Sequence, residues 1–266
     1  MAVFPIHNYL IINGELKQVN DYKPEENNGS VYEVLRIVRG VPLFLSDHIK
    51  RLSHSVELAG LRHSYSENEI EEFLIQLVVE NQVTEGNILI SFKENLTAFF
   101  IPHKYPGKAL YENGITLGIL HAERQNPNAK LFQTSVRQQA DEMKLANDFY
   151  EVLLVDHQNR ITEGSSSNIF FISDHTFVTA PEGEVLPGIT REKAILLARE
   201  LNIGVDERSI YLNELASFDA AFITGTSPKI LPVNQIGDIK FDLQNPETMV
   251  LIKAYDNLME AYVSAR

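Results

Sequence analysis

The chain contains no cysteine, which excludes disulfides, thiolate metal sites and cysteine nucleophiles together. Positive charge is scarce: 23 Lys and Arg stand against 36 Asp and Glu, a formal net charge of −13. With no clustered basic run, the phosphate neutralisation on which nucleic-acid affinity depends has no source. No apolar run approaches the roughly 18 unbroken residues of a membrane span, and the opening MAVFPIHNYLIING lacks a basic leader followed by a long apolar stretch. These absences lead to the expectation of a cytoplasmic protein with neither a nucleic-acid nor a membrane partner. The eight histidines are scattered, with no H-x-H or H-E-x-x-H pair, so no metal centre is expected. A G-x-S-x-G elbow is missing, the nearest text being Gly164-Ser165-Ser166-Ser167, which removes a serine-hydrolase reading. Internal repeats and low-complexity tracts are absent as well.

What is present supports a sizeable core: 266 residues, 44% of them apolar, suit one large domain or two moderate ones. Strand patterns fall at 9–12, 31–38 and 41–44, the last two forming a hairpin through Arg39 and Gly40. Ser46 is expected to cap a helix on which Ile49, Leu52, Val56, Leu58 and Leu61 keep near-helical spacing, with a stop at Gly60. A second helix over 67–81 and strands at 87–92, 97–102 and 115–119 follow, with Glu112-Asn113-Gly114 as a turn. The polar stretch HAERQNPN at 121–128 reads as a connection. The expected organisation is therefore a small N-terminal domain over 1–121, a linker over 122–129 and a larger domain over 130–266. That second half reads as a helix over 134–145, the strand YEVLLVD, further strands to 179, a helix from Thr190, and helices near Leu212 and from Pro246. Strands and helices mixed in this order predict an α+β fold.

Three stretches carry candidate chemistry, each with an ordinary alternative. In RITEGSSSNIFFI, Glu163 leaves an apolar hairpin into small residues that allow close backbone approach by a ligand, or simply form a serine-rich turn. In LPGITREKAILLARELN, a helix opens at Ile189 and Thr190, where unpaired backbone N–H groups and a hydroxyl suit a phosphate, or Thr190 merely caps the helix. In FITGTSPKILPV, Thr226 and its neighbours suit a phosphate or a tight turn equally well. Phosphate-cradling loops, a carboxylate and a lysine such as Lys130 are together the requirements of pyridoxal phosphate chemistry.

These segments, preceded by DHIKRL, resemble the fold-type IV pyridoxal-phosphate enzymes: branched-chain aminotransferase, D-amino-acid aminotransferase and aminodeoxychorismate lyase. The resemblance runs from about residue 8 to 233, and its most specific piece is the TEGxxSN segment 33 residues after Lys130 (163 − 130). It implies a two-domain enzyme, a small α/β sandwich beside a larger domain with a β-barrel-like core and flanking helices. The cofactor, pyridoxal 5′-phosphate, is implied in the cleft between them. Lys130 matches the lysine that carries the cofactor, with an amine kept neutral by burial and the nearby cofactor cation, and Glu163 matches the carboxylate facing the pyridine nitrogen. Arg51, Ile189, Thr190 and Thr226 match phosphate-binding positions, Leu186 an apolar residue against the ring, and Ser166 a cofactor contact beside a structural Asn168. Tyr32 matches a residue on the substrate side, with Ser227 and Lys229 as further candidates for the substrate carboxylate.

The resemblance implies an aminotransferase acting on a small, possibly branched-chain, amino acid and a 2-oxo acid, working as a homodimer. The alternatives are a pyruvate-releasing lyase and a non-catalytic cofactor-binding descendant. The chain departs from the family's patterns at NNGSVYEV, at Lys130-Leu131-Phe132-Gln133, and at a short hairpin, Lys93-Glu94-Asn95, where relatives carry a longer arginine-bearing loop.

Overall fold

A computed structural model describes residues 4–24, 28–132 and 134–266; of the departures above, Asn27 and Gln133 lie outside the described residues. The chain divides into two compact units, one built from 1–104, 129–133 and 259–266, the other from 105–128 and 134–258.

The first unit is a six-stranded antiparallel sheet with two helices. Its strands are β1 (Ile6–Ile12), β2 (Glu15–Gln18), β3 (Val31–Val38), β4 (Val41–Pro42), β5 (Glu85–Phe92) and β6 (Leu96–Ile101), in the order β2-β1-β6-β5-β3-β4. Helices α1 (Leu45–Leu58) and α2 (Glu67–Asn81) bury Ile49, Leu52, Val56, Ile70, Leu74 and Leu77 against one face of the sheet, where Leu35, Ile37, Ile88 and Phe100 point. Alternation along β3 is strict: 31, 33, 35 and 37 are buried and the residues between them half-buried, as a period of two requires. The α2 start follows its text closely, since Ser66 and Glu69 form a reciprocal capping box. The α1 start does not: Phe44, with φ 51°, occupies the N-cap position, and the Leu45 N–H donates to the Tyr262 hydroxyl at 3.1 Å. The helix thus opens one residue before Ser46, and a tertiary hydroxyl satisfies the first of its free N–H groups.

The second unit is a ten-stranded mixed sheet, the barrel-like core expected for the larger domain. It contains β7 (Ile115–His121), β8 (Glu151–Val155), β9 (Arg160–Gly164), β10 (Asn168–Ser173), β11 (Thr176–Thr179), β12 (Gly204–Glu207), β13 (Ile210–Tyr211), β14 (Ala220–Gly225), β15 (Lys229–Ile236) and β16 (Ile239–Lys240). Helices α3 (Lys108–Asn113), α4 (Thr134–Asn147) and α5 (Ile189–Glu200) belong to it, and α6 (Pro246–Ser264) begins in it and ends among first-unit residues.

Two boundaries differ from expectation. Strand β7 pairs in parallel with β8 and β15 of the ten-stranded sheet, so the division falls near residue 104, with 112–113 closing the short helix α3. Residues 129–133 return to the first unit, and Lys130 is therefore not part of the larger domain. Backbone pairing is the reason: Leu131 bridges Val31, Tyr32 N–H donates to the Lys130 carbonyl at 2.9 Å, and Phe132 N–H donates to Ser30 at 3.0 Å. Among the described residues no helix is long and apolar enough to cross a membrane, and no cluster of potential metal ligands occurs.

Candidate active site

Within the first unit Lys130 sits on the short extended segment beside β3. Its backbone N–H donates to Ser55 Oγ at 3.1 Å, and its ammonium nitrogen lies 4.8 Å from the centre of the Tyr32 ring. Tyr32 is stacked on Phe132, with centroids 4.0 Å apart. Arg51 points from α1 to Glu33, which is fully buried: Nε donates to Oε1 and Nη2 to Oε2, both at 2.7 Å. His48, one helical turn earlier, contacts the same carboxylate through Nδ1 at 2.8 Å. Burial alone would push the Glu33 carboxyl up, but the Arg51 guanidinium and then His48 hold it at about 2. His48 is pushed below the ordinary histidine value by its burial, against the pull of Glu33. An arginine expected to serve a phosphate is thus also the counter-ion of a buried glutamate, Glu33, which the sequence reading passed over as part of an ordinary strand.

In the second unit Glu163, at 2% exposure, lies on β9. Its Oε2 accepts from the Leu186 N–H at 3.2 Å and its Oε1 lies 3.2 Å from Arg124 Nε. The three serines after it do not splay toward a ligand. Ser165 and Ser166 hydroxyls donate to Glu151 at 2.5 Å each, Ser166 N–H at 3.0 Å and Ser167 Oγ at 3.2 Å. Ser166, expected as a cofactor contact, has its hydroxyl turned to this buried carboxylate. A Cβ on Gly164 would lie 2.1 Å from Ser167 Oγ, so a larger residue there would displace the serine that closes the loop over Glu151.

Asn168 plays the structural part expected of it, its Nδ2 donating to the Leu186 carbonyl at 2.9 Å. Gly188, not Thr190, is the N-cap residue of α5, and Ile189 and Thr190 form its buried first turn. The Thr190 hydroxyl lies 3.4 Å from the Tyr255 hydroxyl. Thr224, opposite Asn168 in the β10–β14 register, has a buried hydroxyl without a hydrogen-bond partner among the described residues. Thr226 and Ser227 occupy the turn between β14 and β15. Lys229 is engaged elsewhere: its ammonium pairs with Asp256 and lies 5.4 Å from the centre of the Tyr111 ring.

The family profile described as Amino-transferase class IV matches residues 30–236. The chain belongs to the class IV aminotransferases. The chain is similar to the D-alanine aminotransferase of Bacillus licheniformis, 29% identical over 255 residues, covering 85% of this chain and 88% of that protein. The probable branched-chain-amino-acid aminotransferase of Thermotoga maritima is 28% identical, covering 88% and 89%. In fold it matches the branched-chain amino acid aminotransferase from Escherichia coli with a TM-score of 0.84 at 23% identity, over 96% of this chain and 95% of that one. The Thermobaculum terrenum enzyme in its PLP-form matches with 0.83 at 21% identity, over 96% and 95%.

For a class IV aminotransferase the second unit offers what a phosphorylated, protonatable ring needs. A buried carboxylate, a helix start whose first-turn N–H groups have no intrahelical acceptor, and the orphaned Thr224 hydroxyl are linked through Leu186 and Asn168. The donor set fits the cofactor. Two members were missed from sequence, Arg124 because it lies in a polar stretch that reads as linker, and Glu151 because it opens an apolar strand. The one sequence signal for Glu151 is a charge placed just ahead of four apolar residues.

Proposed function

We propose that this class IV aminotransferase binds pyridoxal 5′-phosphate and transfers an amino group from a small amino acid to a 2-oxo acid. The observation that carries the reading is Glu163: a carboxylate buried almost completely, bonded to the Leu186 N–H two residues before the α5 N-cap. Such a group suits the nitrogen of a ring whose phosphate rests at the helix start.

Bound there, the cofactor supplies an electron sink for the pair left when a substrate α-proton departs. Glu163 would keep a proton on the ring nitrogen, which a neutral side chain would not do. Lys130 would hold the cofactor covalently through its amine and move the proton at the substrate α-carbon. Ile189, Thr190, Thr226 and Arg51 would hold the phosphate, Leu186 would pack on the ring, and Tyr32 and Ser227 would serve the substrate. Lys229, committed to Asp256, is left out of that set. The relatives described above are named as aminotransferases, which favours amino-group transfer over the pyruvate-releasing lyase and the non-catalytic descendant. Those names also favour small donors, branched-chain or alanine. A homodimer in the cytoplasm completes the reading.

Borohydride reduction of the reconstituted protein followed by peptide mass mapping is expected to find the cofactor on Lys130; an adduct on another lysine, or none, ends this reading. A screen of both enantiomers of alanine, valine and leucine, followed by the change in cofactor absorbance, then identifies the donor.

A further inference from the structure

Arg124 lies in the polar stretch that composition marks as a connection, yet its side chain is only 12% exposed. It makes two contacts of different kinds, its Nε with Glu163 Oε1 at 3.2 Å and its Nη2 with the Ser165 carbonyl at 2.6 Å. The fork therefore straddles Gly164, gripping the carboxylate on one side and the backbone on the other. The segment that carries Arg124 is itself tied down, since Ala122 N–H donates to Val155 and Asn128 Nδ2 to the carbonyls of Glu182 and Val185. A carboxylate as buried as Glu163 cannot stay charged cheaply without a fixed cation, and a planar guanidinium suits that task better than an ammonium.

We propose that Arg124 is a positioning residue for amino-group transfer: it holds Glu163 ionised and aimed, so that Glu163 governs the proton on the cofactor's ring nitrogen. This rests on the reading of Glu163 given above. Arg124 touches neither substrate nor ring in this role and acts through the carboxylate.

The test uses full-length protein reconstituted with pyridoxal 5′-phosphate, with bound-cofactor absorbance followed from acid to alkaline pH. Arg124→Met is expected to displace the pH midpoint by about one unit or more, the size of an effect from a lost neighbouring charge. Arg124→Lys, which keeps the charge and loses the fork, falls between it and the parent. Added to Glu163→Gln, Arg124→Met moves the midpoint no further, because the carboxylate it acts on is gone. An unmoved midpoint in Arg124→Met, with a displaced one in Glu163→Gln, makes Arg124 an ordinary structural ion-pair partner and overturns the proposal. An unmoved midpoint in Glu163→Gln removes the role assigned to Glu163, and the inference with it. Melting of the cofactor-free variants reports folding. Where Arg124→Met does not fold, Arg124→Lys decides alone: a displaced midpoint supports the role and an unmoved one overturns it.

Discussion

Glu33 shows how much one misplaced polarity can organise. Strand alternation sends its carboxylate to the same face as Leu35 and Ile37, into a helix-covered core, where an isolated charge is not tolerated. Arg51 and His48, three residues apart on α1, arrive on one helix face to meet it. With Glu33 ionised and able only to accept, His48 carries its proton on Nδ1. The consequence for pH has one sign. Glu33 is held at about 2 against an ordinary 4.5, so its contribution, on the order of 3 kcal/mol, is complete above 4.5 and is lost as pH falls toward 2. His48 is depressed as well, so its contribution is present above about 6.5 and declines as acid protonates it. Urea midpoints at pH 7, 5 and 3 are expected to fall in that order, and Glu33→Gln should flatten the acid limb. Arg51→Ala is expected to cost about 3–5 kcal/mol by stranding a buried carboxylate. Cofactor affinity of that variant is interpretable only beside its urea curve, and a stability equal to the parent's would show that Glu33 does not need its counter-ion.

At the scale of elements, the turn between β9 and β10 is held by a carboxylate that belongs to neither strand. Glu151 on β8 collects the serine hydroxyls and an N–H from 165–167, which shapes the backbone immediately after Glu163. Gly164→Ala places a methyl 2.1 Å from Ser167 Oγ and 3.1 Å from Glu151 Cγ. It is expected to destabilise by about 1–3 kcal/mol, as overpacking does, and to weaken cofactor binding because the neighbouring carboxylate moves. Calorimetry paired with cofactor titration checks both; normal cofactor affinity in a destabilised variant would separate the serine turn from the site. The α1 start gives a second case. Tyr262→Phe removes the hydroxyl that accepts from Leu45, at an expected cost of about 1 kcal/mol in urea denaturation, whereas Ser46→Ala should cost less than an N-cap substitution would.

For the whole molecule, the two units were legible in outline and misassigned in detail. The sequence places the first boundary at 121 because HAERQNPN looks like solvent-exposed linker. In the structure those residues are bonded within the second unit, and β7 before them supplies a central strand. Lys130 follows the same logic in reverse, since backbone hydrogen bonds and a bridge from residues 130–132 to residues 29–32 draw its segment to the first unit. The proposed homodimer is tested by sedimentation across a concentration series, where a stable monomer active at all concentrations would exclude it. Lys229→Met belongs at this scale too. Its half-exposed pair with Asp256 predicts a loss below about 1 kcal/mol and a donor KM within about twofold of the parent, and a large rise in KM would restore it to the substrate set.

What the sequence determined by itself is what local text and period can encode. Hydrophobic alternation and helical spacing placed β3, α2 and α5, the Ser66–Glu69 capping box marked a helix start, and the order DHIKRL, Lys130, TEGSSSN, LPGIT, FITGTS identified the class of chemistry. What only the tertiary structure decided is who partners whom. Arg124, Glu151 and Glu33 are unremarkable residues in their own stretches, and each acquires its role from a group 39, 14 or 18 positions away. Buried charges are stabilised by partners close in space and indifferent to distance along the chain, so those pairings form only when the sheets do.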